Sequence, residues 1–180
     1  MPGTSYELAG AHPYYRREIP LVLGALCARY PRAVLRRVVL YPRRPHDESM
    51  GNVNERGTVA LNPRWFAADP GELRAAATSR TAMPLGDGRY LAYHGRMTEE
   101  PAHLLTHEFG HVIQDCAPGW QELTAPLLAE ARARPDLAPA AYGLCSAVEY
   151  WAELFAATEL GLASGPHVDA MRERLGELRA

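Results

Sequence analysis

The sequence predicts an α+β domain in which a small sheet packs against a bundle of helices. Three features lead there: short β-branched runs in the first third, long stretches of helical apolar spacing in the second half, and Pro- and Gly-rich segments between them. With 180 residues, 47% hydrophobic and 22% charged, the chain can form one real core but not two ordinary domains. Residues 1–180 are therefore read as a single unit.

Residues 1–15, rich in Gly, Pro and Tyr without a period, are expected to form an irregular arm. A short buried helix is expected over 18–30, closed by Pro31. Residues 34–41 (VLRRVVLY) are β-branched enough for a strand, and residues 42–57 are turn chemistry throughout, which predicts a long loop. Thr58, Val59, Ala60 and Leu61 make a second short strand, ended by Asn62-Pro63. Asp69 is placed to cap a helix running to Arg80, with Pro70 at its first position. Residues 81–96 again read as loop. Four helices are then expected, over about 99–116, 120–133, 146–160 and 166–178.

Charge and cysteine usage remove several function classes. The net charge is −2 and all 19 basic residues are Arg, with no excess over the 21 acidic ones, so a nucleic-acid partner is not expected. Cys27, Cys116 and Cys145 form no C-x-x-C pair and are expected as small buried hydrophobes. The longest apolar run, residues 19–28, contains Pro20 and Gly24 and is too short to span a bilayer. Arg16-Arg17 precedes it in the manner of a secretory signal, but Glu18 and Pro20 interrupt the run and Arg29-Tyr30-Pro31 makes a poor cleavage site. The expectation is a soluble protein without membrane contact, cytoplasmic or exported by a non-Sec route.

The chemistry concentrates in His107-Glu108-Phe109-Gly110-His111, an H-E-x-x-H pattern inside a predicted helix. Histidines four apart lie on one helix face, one turn apart, so both imidazoles can reach one zinc ion at about 2.0–2.1 Å. Glu108 follows the first ligand, where its carboxylate can serve a water held by the metal rather than the metal itself. A shuffled chain of this composition contains the pattern about once in fifty, so the motif needs a third ligand to carry weight. A metzincin would supply Gly and His three and six residues on, but Gln114 and Ala117 stand there. His167, bounded by Gly165 and Pro166, reads as a surface residue.

Glu149 and Glu153 fit better. They lie four apart on a helix otherwise built of Val148, Trp151, Ala152, Leu154 and Phe155, which has little reason to bury carboxylates unless a positive group meets them. The natural division gives Glu149 to the metal and Glu153 to the free ring N–H of a ligand histidine. The alternative is a capping box, Ser146-x-x-Glu149, with Glu153 solvated. Tyr142 can donate to a developing oxyanion, Gly143 beside it allows a sharp turn, and the alternative for Tyr142 is a half-buried core residue. His103 lies outside the ligand set, because positions 103, 107 and 111 span about 12 Å. Asp115 continues the histidine face and is expected to tune or cap the helix end. His46 and His94 read as surface residues in loops, and Trp65, Phe66 and Trp120 as core.

HEFGH followed, after an intervening helix, by AYGLCSAVEYWAELFAA resembles the catalytic domain of anthrax lethal factor and the Pro-Pro endopeptidases, which are gluzincin-type zinc peptidases. In that family a Tyr lies seven residues before the glutamate ligand and a second Glu four after it. Tyr142, Glu149 and Glu153 occupy those places, with Tyr150, Trp151 and Ala152 filling the aromatic pattern between. The resemblance implies a zincin-like fold, Zn2+ held by His107, His111 and Glu149, Glu108 as base and Tyr142 as oxyanion partner. GTVALN likewise resembles the edge strand on which such enzymes lay an extended substrate, so Thr58, Val59, Ala60 and Leu61 are expected to bind peptide. The expected activity is zinc-dependent hydrolysis of a peptide or protein. Its rival is a zincin-fold assembly or effector protein, phage- or secretion-associated, that works by interaction; an intact Glu108 argues against it, since metal binding alone needs no base.

Overall fold

The computed structural model describes residues 3–41, 51–54, 56–72, 83–84, 90–91, 101–140 and 142–179. Its order is β1 (Ser5–Glu7), α1 (Pro13–Arg29), β2 (Arg37–Leu40), β3 (Gly51–Asn54), β4 (Thr58–Leu61), α2 (Pro63–Phe66), β5 (Met83–Pro84), β6 (Tyr90–Leu91), α3 (Ala102–Gln114), α4 (Trp120–Ala133), α5 (Ala147–Glu159) and α6 (Pro166–Arg179). Two 3-10 turns, Pro135–Leu137 and Tyr142–Cys145, join α4 to α5. The chain is thus mixed, strands first and helices after, as its sequence predicts.

The principal sheet runs β1-β2-β4-β3. Its first three strands are parallel, and β3 closes it antiparallel to β4, with Gly51 opposite Leu61 and Asn54 opposite Thr58. A parallel β1–β2 pair requires a crossover, and α1 supplies it. Val38, Val59 and Leu61 are fully buried together with Tyr15, Ile19 and Leu23 of α1, and Phe109 and Phe155 continue the same core into α3 and α5. Asn54 closes the β3–β4 hairpin by accepting from the amides of Arg56 and Thr58 at 3.0 and 3.2 Å. Gly57 adopts φ 69° there, and a Cβ on it would lie 2.0 Å from the Val34 carbonyl oxygen, so no other residue fits this turn.

Four strand expectations change, one of them within residues 81–96, where Met83–Pro84 pairs antiparallel with Tyr90–Leu91. The first fifteen residues are not an irregular arm: Ser5–Glu7 pairs in the sheet, held by an Arg37–Glu7 ion pair and by Thr4 Oγ1 donating to Leu35 O at 2.9 Å. This strand is legible only from its partner, since the local sequence has no alternation to read. Within the expected 42–57 loop, Gly51–Asn54 is strand β3, again defined by what it pairs with. The strand expected over 34–41 narrows to Arg37–Leu40, while Thr58–Leu61 lies where predicted.

The helices follow the sequence closely. α1 begins earlier than expected, because Pro13 occupies its first turn and His12 Nδ1 accepts from Tyr14 N at 3.3 Å. Asp69 accepts from the Gly71 amide at 2.8 Å, and the chain is helical over 70–72; the rest of the helix expected to Arg80, and His46 and His94, lie outside the described residues. Among the described residues no helix is long and apolar enough to cross a membrane.

The crossing that matters for the site is α3 against α5. Gly110 faces Ala152 so closely that a Cβ at 110 would lie 3.0 Å from the Ala152 α-carbon and 3.3 Å from Phe155 Cβ. Trp151 Nε1 donates to the Gly110 carbonyl at 2.9 Å, fixing rotation as well as distance. Gly110→Ala should therefore cost about 1–3 kcal/mol through overpacking, despite its better helix propensity. Denaturant unfolding of the purified variant measures this directly; an unchanged or raised midpoint would mean that the two helices can separate freely.

Candidate metal centre

α3 presents His107 and His111 one turn apart, and their Nε2 atoms approach to 3.2 Å. From α5, Glu149 Oε2 lies 3.1 Å from His107 Nε2 and 3.5 Å from His111 Nε2. Bonds of 2.0–2.1 Å in a tetrahedral site set neighbouring ligand atoms about 3.3–3.4 Å apart, and these three edges bracket that value. Among the described residues, this is the His, Cys, Asp or Glu group whose ligand atoms all lie within 4.8 Å of one another. Such a triangle could hold a divalent cation, and two nitrogens with one oxygen do not by themselves choose which.

The carboxylates at the triangle are also left electrostatically uncompensated. Glu149 Oε2 and Glu108 Oε2 are sealed from solvent without a hydrogen-bond partner, which is costly for carboxylates unless a positive charge compensates. Burial raises the Glu108 carboxyl to about 7, helped by the Glu149 charge and opposed by His111. Burial would raise Glu149 too, but the close approach of His107 and His111 outweighs it and holds that carboxyl at about 2. Burial lowers His107 in turn, whereas the carboxylates around His111 overcome its burial and raise it.

Each histidine has a neighbour on its other ring nitrogen. Glu153 Oε1 lies 3.1 Å from His107 Nδ1, although the contact falls short of hydrogen-bond geometry. Glu153 Oε2 lies 3.4 Å from His103 Nε2, so one buried carboxylate faces two imidazoles. Burial raises the Glu153 carboxyl to about 8; burial, and then the charge of His107, hold His103 down to about 3. Glu153 is thus buried rather than solvated, and His103 stands one step from the triangle, as its spacing predicts. His111 Nδ1 meets Gln114 Oε1 at 3.1 Å, a partner the sequence reading passed over. Its signal was position: Gln114 is three residues after His111 on the same helix. Ser146 Oγ accepts from Glu149 N at 3.2 Å, so the serine half of the capping box exists alongside the carboxylate's turn towards the histidines.

A cleft of about 320 Å³ opens beside this group, walled by β3, by α3 from His107 to Asp115, and by Tyr142, Val148 and Glu149. Glu108 forms its floor under Gly51, where a Cβ on Gly51 would meet Glu108 Oε1 at 2.6 Å. Tyr142 is 45% exposed, and its ring centroid lies 5.9 Å from that of His107. The turn that carries it is clamped by Arg132, whose guanidinium donates to Leu144 O at 2.9 and 3.0 Å and to Cys145 O at 3.0 Å. Gly143 serves close approach, since a Cβ there would stand 3.1 Å from the Tyr150 ring and 3.3 Å from Glu153.

Several expected placements are corrected. The strand Thr58, Val59, Ala60 and Leu61 offers no free edge for substrate, because β2 pairs along one side and β3 along the other. β3 borders the cleft instead, and among the described residues its outer edge has no partner strand. His167 is buried, with its Nδ1 2.7 Å from Tyr150 Oη and its Nε2 3.2 Å from Glu130, so it is neither a surface residue nor a ligand. Cys145 is exposed, while Cys27 and Cys116 are half-buried and pack against the core. Phe66 is core as expected, while Trp65 and Trp120 are half-buried. Asp115 follows the last residue of α3 and lines the cleft.

The triangle predicts one divalent ion per chain. His107→Ala or Glu149→Ala should abolish stoichiometric binding, Glu153→Ala should weaken it about 10- to 100-fold, and Cys145→Ser should leave it unchanged. Metal analysis after equilibrium dialysis tests all four; retention by Glu149→Ala would sink the assignment. Comparison with protein-family models, curated proteins and solved structures gives no significant match, so the reading of this centre rests on its own residues.

Proposed function

We propose that the chain is a zinc-dependent metallopeptidase of zincin-like architecture. The observation that carries this reading is Glu108, a buried carboxylate on the residue after the first histidine, set in the cleft beside a His-His-Glu triangle. A protein that merely stores or is braced by a metal needs no such group there. The arrangement of an open strand edge above a two-histidine helix, with the third ligand from the next long buried helix, supports the zincin-like description.

A bound zinc ion would polarise the scissile carbonyl and make water a better nucleophile near neutral pH. Glu108 takes the proton as the water oxygen bonds to the carbonyl carbon, and delivers it to the nitrogen as the C–N bond breaks. A carboxyl lifted towards neutrality by burial suits both halves of that transfer. Tyr142, exposed on the far wall, donates its hydroxyl proton in a hydrogen bond to the developing oxyanion. An extended peptide pairs with the outer edge of Gly51–Asn54, which brings one of its carbonyls over Glu108.

Glu108→Gln should keep the metal while peptide hydrolysis falls by about 10² or more. Gly51→Ala should behave alike, because the added methyl displaces the Glu108 carboxylate without touching the triangle. Cleavage of a peptide library by zinc-loaded protein provides the assay, and wild-type rates in Glu108→Gln would refute peptidase chemistry at this centre.

The strand assignment is tested separately. Successive amides of an edge strand point alternately into the sheet and out of it, so only one of Asn52→Pro and Val53→Pro removes an outward N–H. That variant should stay folded and raise KM, whereas equal KM values in two folded variants would show that substrate does not add to β3.

A further inference from the structure

We propose that Gln114 is the positioning residue for His111, fixing its ring tautomer and tying it to the residue before Glu149, so that one amide sets two corners of the metal triangle. The proposal rests on the metal reading above and adds to it a residue that the H-E-x-x-H pattern does not contain.

The hydrogen bonds carry the inference. Gln114 Nε2 donates to the Val148 carbonyl at 3.2 Å, and a carbonyl oxygen can only accept, so the amide nitrogen must face α5. The amide oxygen is then turned to His111 Nδ1 at 3.1 Å, and as an acceptor it requires the ring proton on that nitrogen. A neutral His111 protonated on Nδ1 leaves the Nε2 lone pair free, and Nε2 is the atom that faces His107 Nε2 and Glu149 Oε2. A single side chain thereby selects the ligand-competent tautomer. Because Val148 directly precedes Glu149, the same amide also anchors α5 at the third ligand.

Glu153 does not duplicate this role, since the imidazoles it faces are those of His107 and His103 and not that of His111. Gln114 is also part of the cleft wall, so its bonds form at the mouth of the site, where water would otherwise compete for His111 Nδ1.

Two substitutions separate orientation from bulk. Gln114→Met keeps length and volume but loses both hydrogen bonds. Gln114→Glu keeps an acceptor for His111 Nδ1–H but cannot donate to Val148. Zinc affinity, measured by competition with a chromophoric chelator, should fall about 10- to 100-fold in Gln114→Met and less steeply in Gln114→Glu, which loses only the tie to Val148. In the metal-free proteins, nitrogen NMR at alkaline pH should show His111 as the Nδ1–H tautomer in wild type and Gln114→Glu, and as a mixture in Gln114→Met. Unchanged affinity and an unchanged tautomer in Gln114→Met would overturn the proposal, as would equal losses in both variants. If wild type binds no zinc, the metal reading fails by itself, and the His111 tautomer in Gln114→Met still decides what Gln114 does.

Discussion

The close crossing of α3 and α5 is the constraint on which the rest of the structure depends. Helices ordinarily pack with axes 8–10 Å apart, a spacing set by the side chains between them. Gly110 against Ala152 removes those side chains, and the Trp151 indole locks the two backbones in register. Everything in the His107, His111 and Glu149 triangle is counted from that point. His107 and His111 bracket Gly110 on α3, while Glu149 and Glu153 flank Ala152 on α5, so one small-residue contact draws four ionisable groups together. Phe109 and Phe155 seal the interior side of the crossing, leaving His107, His111 and Glu149 to line the cleft.

Concentrating carboxylates and imidazoles in a dry crossing works against folding unless their charges are balanced. Burial pushes Glu108 and Glu153 towards the neutral acid, while Glu149 stays ionised because two histidines surround it. A divalent cation would favour deprotonated ligands throughout and convert this tension into binding energy. Among the described residues no arginine lines the cleft beside the triangle. The buried Glu159, on the same helix, is met instead by Arg29, Arg179 and the Tyr30 hydroxyl, the ordinary means of paying for a buried carboxylate. Two ends of α5 thus bury acids differently, one neutralised by guanidinium groups and one left to histidines.

The sheet has a narrower task. Its buried strands supply the wall against which α1 and α3 pack, and its last strand supplies a backbone edge over the site. β3 can lie so close to the floor of the cleft only because its first residue is Gly51. That contact links the strand which would hold a substrate to the carboxylate which would act on it, with no side chain between. The Arg132 clamp plays the corresponding part on the opposite wall, holding the turn from which Tyr142 projects.

Local sequence was sufficient for the four helices of the second half, α3 to α6, because their signals are short-range: periodic apolar positions, Ser146 as a cap, Pro166 at a first turn. It was sufficient as well to single out the residues of the His107, His111 and Glu149 triangle, since H-E-x-x-H and the Glu149/Glu153 pair each express one helical face. Partnership was what it could not supply. β1 and β3 are strands because of what lies beside them, and β4 lost its expected free edge to a segment whose Gly and Asn residues spell a turn when read alone. Likewise His167 became buried through contacts with residues 17 and 37 positions away, and Gln114, three residues from His111, has its amide oriented by Val148, 34 positions away. Pattern within an element is fixed by backbone periodicity and is written in consecutive residues; which edge is open and which polar group finds a mate depends on packing between elements, and only the tertiary structure decides it.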